Sequence, residues 1–189
     1  MNANIYYWDK AGKENTERTI DAALKRGKEL NIEHFVVASC TGATTKTLLE
    51  KGKGISIVSV SHQVGFREPG TREMSVEIEE ELTQKGVKVY TGTHFFGGVG
   101  RAIRMKFGSL EVDELAANTL RILGQGLKVA VEIAVMALDA GLIPYDREII
   151  AIGGTGRGAD TAIVCLPRHG KDFFSFEVRE IICKPRAVK

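Results

Sequence analysis

Residues able to do chemistry gather first in Ser39-Cys40-Thr41-Gly42-Ala43-Thr44-Thr45, directly after the apolar run Phe35-Val36-Val37-Ala38. Four hydroxyls, a thiol and a glycine follow an apolar segment, and the spacing predicts a helix from Thr44 or Thr45 to Lys51, ended by Gly52 as a left-handed cap. A strand, a tight polar turn and a helix N-terminus in that order aim unpaired N–H groups and a partial positive charge at one point. Such a point suits an oxyanion, above all a phosphate, with Gly42 letting the backbone come close. The same residues make good helix caps, so a capped turn with no ligand is the competing reading. The nucleoside-triphosphate loop is excluded, because its first glycine and its Gly-Lys pair are missing.

A second such place is Gly153-Gly154-Thr155-Gly156-Arg157-Gly158-Ala159-Asp160. Gly154, Gly156 and Ala159 fit a dinucleotide fingerprint, but that fingerprint requires a helix next, and Thr161 to Leu166 reads as a strand. The turn is therefore expected to join antiparallel strands and to bring backbone amides, with Thr155, Asp160 and Thr161, towards a ligand. A hairpin whose glycines serve only backbone conformation is the alternative. His62 and His94 each follow a strand. With no nearby carboxylate or metal partner in the sequence, both read as structural or surface histidines. Cys40, beside a helix N-terminus, is expected to be the reactive cysteine, whereas Cys165 and Cys183 lie in apolar runs and read as buried.

Positioning these residues requires parallel strands. Phe35–Ser39 and Ile55–Val60 are short apolar runs joined by a helix, which makes a right-handed βαβ unit buried on both faces. Val87–Thr91 and Glu148–Ile152 extend the sheet. The segment from Ser61 to Thr71, with His62, Gly65 and Phe66, is long for a strand-to-helix loop and sits where function often lies. Residues 92 to 109 read as an irregular stretch, a lid, binding loop or contact surface, with at most a helical turn near Ala102–Phe107. Val112–Leu123 and Leu127–Ala140 read as helices separated by Gly124-Gln125-Gly126, the second apolar nearly all round. Ile20, Ala23, Leu24 and Gly27 mark the inner face of an earlier helix, Ile5 to Trp8 reads as an edge strand or core plug, and Phe174–Cys183 as a last extended segment.

The composition bounds the function classes. A chain of 189 residues, 43% apolar and 26% charged, suits one globular domain over residues 1–189. A net charge of +2, with no basic patch interleaved with aromatics, argues against nucleic acid. Val129 to Leu138, the most apolar segment, contains Glu132 and is about half of a membrane span. Three scattered cysteines give neither a disulfide framework nor zinc spacing, and the N-terminus lacks a leader pattern, so the expected location is the cytoplasm.

These pieces together resemble the C-terminal domain of pyruvate kinase, and more closely a group of stand-alone archaeal-type proteins with that fold. Ser39, Thr41, Gly42 and Thr44 match the kinase's [ST]-x-[ST]-G-x-[ST] phosphate loop. Ala22-Ala23 falls in its alanine-rich helix, and VEIAVMALDAGLI followed by REIIAIGGTGRGADTAIV matches its last helix, strand, glycine loop and antiparallel strand. The resemblance implies a three-layer α/β/α fold with a mostly parallel sheet and one antiparallel strand. It further implies a phosphorylated small-molecule ligand, FMN in the stand-alone group, held by Ser39, Cys40, Thr41, Gly42, Ala43, Thr44, His62, Gly65, Phe66, Thr155, Gly156, Gly158, Ala159, Asp160 and Thr161. Ala43 stands where the kinase often carries a basic residue, which argues against a sugar bisphosphate. No catalytic residue is assigned. The competing functions are a non-catalytic sensor of a phosphorylated metabolite and an oligomeric scaffold, a homo-oligomer whose glycine turns are structural.

Overall fold

A computed structural model describes residues 4–187; the first three residues of the stretch read for a leader, and the last two of the chain, lie outside them. Strand β1 (Tyr6–Trp8) precedes helix α1 (Thr16–Leu30), strand β2 (His34–Ala38), helix α2 (Ala43–Lys51) and strand β3 (Ser56–His62). Helix α3 (Val76–Gln84), strand β4 (Lys88–Gly92) and helices α4 (Val99–Phe107), α5 (Val112–Arg121) and α6 (Gln125–Asp139) follow. Strands β5 (Ile149–Gly153), β6 (Thr161–Leu166) and β7 (Glu177–Pro185) complete the chain.

The seven strands form one sheet in the order β1-β7-β6-β5-β2-β3-β4. Strand β6 runs antiparallel to both of its neighbours, and the other pairings are parallel. The central strands alternate between two cores because successive side chains leave opposite faces. Phe35 and Val37 of β2, with Ile150 and Ile152 of β5, pack on one side with Ile20, Ala23, Leu48 and Leu82 from α1, α2 and α3. Val36, Ile149 and Ala151 pack on the other against Leu127, Ala130, Val131, Ala134 and Leu138 of α6. Three layers result, with central strands that are buried along most of their length and rich in Val and Ile. Trp8 is core, 4% exposed, and its indole N–H donates to Thr19 Oγ1 at 3.2 Å.

Several boundaries differ from the sequence reading. Residues 99–107 form helix α4 and not an irregular loop; Val99, Ile103 and Phe107 recur at helical spacing, but none of the helix's residues is buried and Gly97, Gly98 and Gly100 obscure its start. Helix α6 begins at Gln125 and takes Gly126 into its first turn. It buries every residue from Gly126 to Leu138 except Val129. Gly52 follows α2 in an extended conformation, φ −92°, so the left-handed cap expected there is not formed.

The sheet decides where a site can lie. The chain leaves β2 towards β3 and leaves β5 towards β6, in opposite directions along the sheet, although β2 and β5 are parallel neighbours. Their outgoing turns therefore diverge and leave a crevice beyond the strand ends.

Candidate functional site

That crevice is a cavity of about 570 Å³. Its walls include Ser39, Cys40, Thr41, Ala43 and Thr44 from the turn after β2, and His62, Phe66, Arg67 and Glu73 from the segment after β3. Gly154, Gly156, Arg157 and Gly158 come from the turn after β5, Lys13 and Thr16 from the approach to α1, and Gln125 and Val129 from α6. The two glycine-bearing turns, more than a hundred residues apart in sequence, thus face one space.

Local folding explains each wall. Gly42 has φ +84°, a left-handed conformation that favours glycine, and a Cβ there would come within 2.6 Å of Ile78 Cγ2. With no side-chain cap from Gly42, Ser39 Oγ accepts from the Thr45 N–H at 3.3 Å, and Thr45 Oγ1 lies 2.7 Å from Ser59 Oγ. Ser39 and Thr45 are therefore braces. Thr44 is different: 6% exposed and lining the cavity, its hydroxyl has no partner among the described residues. The N–H groups of Ala43 and Thr44 belong to the first turn of α2 and have no carbonyl within the helix to bond. Lys13 and Arg157, both exposed on the rim, enter no ion pair among the described residues.

The turn after β5 is held from behind. Asp160, fully buried, accepts from the N–H groups of Gly12 and Thr155 at 3.1 Å and from Thr161 Oγ1 at 2.8 Å. The Ala159 N–H donates to Thr16 Oγ1 at 3.0 Å. Of the residues singled out in sequence, Ser39, Cys40, Thr41, Ala43, Thr44, His62, Phe66, Gly156 and Gly158 line the cavity. Gly42, Gly65, Thr155, Ala159, Asp160 and Thr161 do not; Gly42 shapes the first turn and Asp160 braces the second.

His62 does not fit the reading of a lone structural histidine. Its Nε2 lies 3.2 Å from Cys40 Sγ, and its Nδ1 is hydrogen-bonded to Glu73 Oε2. Arg67 Nε donates to the other Glu73 oxygen at 2.7 Å. The absent carboxylate was supplied by Glu73, eleven residues on, at the far end of a loop that doubles back through the Gly65 N–H to Thr71 carbonyl bond of 2.9 Å. Partial burial pulls the Glu73 carboxyl upwards, but the bonds from His62 and Arg67 outweigh it and leave it below its ordinary value. Ligand atoms of Cys40, His62 and Glu73 lie within 4.8 Å of one another, a spacing a cation could span. The thiol meets Nε2 of the ring and the carboxylate meets Nδ1, so the imidazole contacts both groups at once.

Cys40 also departs from expectation. Burial, and after it the charge of Glu73, pushes the thiol up to about 11, so the helix N-terminus does not hold a resting thiolate. Cys165 and Cys183 are buried, as their apolar surroundings implied.

His94 stacks edge-on to His62 with centroids 5.0 Å apart, beside Phe66, which carries Arg101 4.8 Å over its ring. Burial lowers its pKa from 6.5 to about 4. Between those values the unfolded chain binds a proton that the folded chain refuses, so this contribution is complete above pH 6.5 and is lost as pH falls towards 4. Urea unfolding at pH 7 and pH 5 is expected to show a drop that His94→Gln reduces by on the order of 2 kcal/mol. An equal drop in both proteins would remove His94 as its source.

Comparison with known proteins adds the context. The family model described as "Pyruvate kinase, alpha/beta domain" matches residues 17–165. Among solved structures, a pyruvate kinase from Cryptosporidium parvum is 14% identical with a TM-score of 0.42, covering 80% of this chain and 23% of its own. The Cryptosporidium parvum pyruvate kinase in complex with ADP is 15% identical with a TM-score of 0.41, covering 79% and 22%. The chain therefore spans about a quarter of the length of the kinases it matches.

Proposed function

The chain belongs to the pyruvate kinase alpha/beta domain family, and from that premise we propose that its crevice binds a phosphorylated cofactor, FMN. The observation that carries the reading is Thr44, a cavity-lining residue whose hydroxyl has no partner among the described residues, set in a helix first turn whose N–H groups are also unbonded within the helix. Thr41, Ala43 and Thr44 would hold the phosphate, with Lys13 and Arg157 contributing charge from the rim. Phe66, Val129 and the glycine backbone at 156 and 158 offer apolar and planar surfaces suited to an isoalloxazine. A cavity of about 570 Å³ is within the range that takes such ligands. A bound flavin supplies electron or hydride transfer at its ring; the residues here supply its binding and its surroundings.

Flavin titration of the purified protein tests this. FMN is expected to bind more tightly than riboflavin, which lacks the phosphate. Thr44→Val should weaken FMN by about 1–3 kcal/mol, the cost of a lost charge-assisted hydrogen bond, and leave riboflavin unaffected. Equal affinity for the two flavins, or binding of neither, overturns the assignment. The rim cations Lys13 and Arg157 favour a second reading, a sensor of a smaller phosphorylated metabolite, and competition by sugar phosphates against FMN separates the two.

A further inference from the structure

We propose that Cys40 is a nucleophile of this cavity, with His62 as its general base and Glu73 as the residue that positions His62, acting on the carbonyl carbon of an ester or thioester. The inference goes beyond cofactor binding and does not depend on which ligand fills the crevice.

Geometry supplies the argument. A nucleophile, a base within hydrogen-bond reach and a third group orienting the base are the parts that activated thiols and hydroxyls share. Here Sγ lies 3.2 Å from Nε2, and Glu73 occupies the opposite nitrogen. An ionised carboxylate only accepts, so the ring must carry its hydrogen on Nδ1, which leaves the Nε2 lone pair facing the thiol. Arg67 on the second oxygen prevents the carboxylate from turning away. Phe66 packs on the imidazole with centroids 4.0 Å apart and His94 edges it at 5.0 Å, so the base is fixed by packing as well as by bonds. Cys40 is the one cysteine that lines the cavity. Its thiol is protonated at rest, which suits a base that takes the proton during attack.

The step balances without a further reactant. Sulfur attacks the carbonyl carbon and forms an S–C bond as its proton passes to His62 Nε2 and the carbonyl π pair moves to oxygen. Collapse restores the carbonyl, breaks the bond to the alcohol or thiol, and returns the His62 proton to that leaving group. Water, deprotonated by His62, then attacks the thioester carbon and expels Cys40, which regains the proton. The N–H groups of Ala43 and Thr44 stand in the same wall for the oxyanion.

The probe is p-nitrophenyl acetate with the flavin-free, EDTA-treated protein. A burst of one nitrophenolate per chain is expected, with the acetyl group mapped to Cys40 by peptide mass. Acylation should vanish in Cys40→Ser and fall about a hundredfold in His62→Gln, the lower end of what a general base contributes. Glu73→Gln should slow it by about tenfold and move the half-maximal point of the pH–rate curve to lower pH, because the imidazolium formed in the step loses its counter-charge. A structural role alone would leave that curve in place. His62→Asn serves if His62→Gln does not fold. Three results overturn the proposal: Cys40 in the wild type acylated no faster than a free thiol peptide, the acetyl group found elsewhere, or a folded His62 variant acylated at the wild-type rate. No arm uses flavin, so failure here leaves the FMN reading intact, and failure of FMN binding leaves this one intact.

Discussion

Glu132→Leu is expected to destabilise the protein by about 3–5 kcal/mol, the range for stranding one partner of a buried ion pair. Glu132 and Lys128 sit one turn apart on α6, with side chains 3% and 8% exposed and Nζ 2.5 Å from Oε2. The second carboxylate oxygen accepts the Phe96 N–H at 3.1 Å, which ties the segment before α4 to the core. Desolvation already lowers the Lys128 pKa against the pull of Glu132. Without the carboxylate, the ammonium would keep the desolvation and lose its compensation. The double change Lys128→Met with Glu132→Leu should recover much of the loss, because it removes both charges and keeps the volume. The Phe96 N–H would still lack its acceptor, so recovery should be incomplete. Urea midpoints of the three proteins decide the matter: a single variant within about 1 kcal/mol of wild type would show that water reaches the pair.

Gly153→Ala should cost about 3 kcal/mol, the upper end of the overpacking range. Gly153 ends β5 where α6 crosses it, and a Cβ there would overlap the Gly126 carbonyl oxygen and come within 2.9 Å of the Ala130 nitrogen. Both obstacles are backbone, so no rotamer relieves them. The Asp160 N–H donates to the Gly153 carbonyl at 3.1 Å, so a shift of the strand end would also move the turn that walls the cavity. On the proposed FMN reading, flavin affinity should therefore fall with stability. Gly156→Ala is the control: its Cβ would meet open space, and only its φ of +77° opposes the change, at about 1–2 kcal/mol. Thermal melts that rank Gly156→Ala as the more damaging of the two would refute the close-packing argument.

The parts legible in the sequence were those governed by short-range pattern. Buried strands announced themselves as unbroken apolar runs rich in Val and Ile at Phe35–Val37 and Ile149–Ile152, and α6 as an apolar helix. The reversal of β6 followed from a glycine turn too short for a crossover. Once β2 and β5 were expected to be parallel, it also followed that their outgoing turns share an edge. What pattern could not reach was pairing made across a loop. Glu73 sits among Arg67, Arg72 and Glu79, where charge reads as solvated surface, and only the folded course of residues 63–75 sets it against His62. Helix α4 escaped because the glycines at 97, 98 and 100 read as loop, although Val99, Ile103 and Phe107 have helical spacing; it packs on α5. The cavity's polar residues were visible as a set, but which of them face the space and which stand behind it was not. Asp160 and Thr44 look equally suited to a ligand until their partners are seen.

Strand β1 pairs in parallel with β7, Tyr6 opposite Cys183 and Trp8 opposite Pro185. Among the described strands β1 leaves the ribosome first, yet its partner is the last of them to be made. It must wait until β7 is made with its backbone donors and acceptors satisfied by water, while the βαβ units between them can already close on themselves. Its brevity suits that delay, for three residues offer a stray strand little to pair with. The loop that β1 and β7 close is the longest in the fold, so their pairing belongs to the late, slow end of folding, where sequence separation sets the rate.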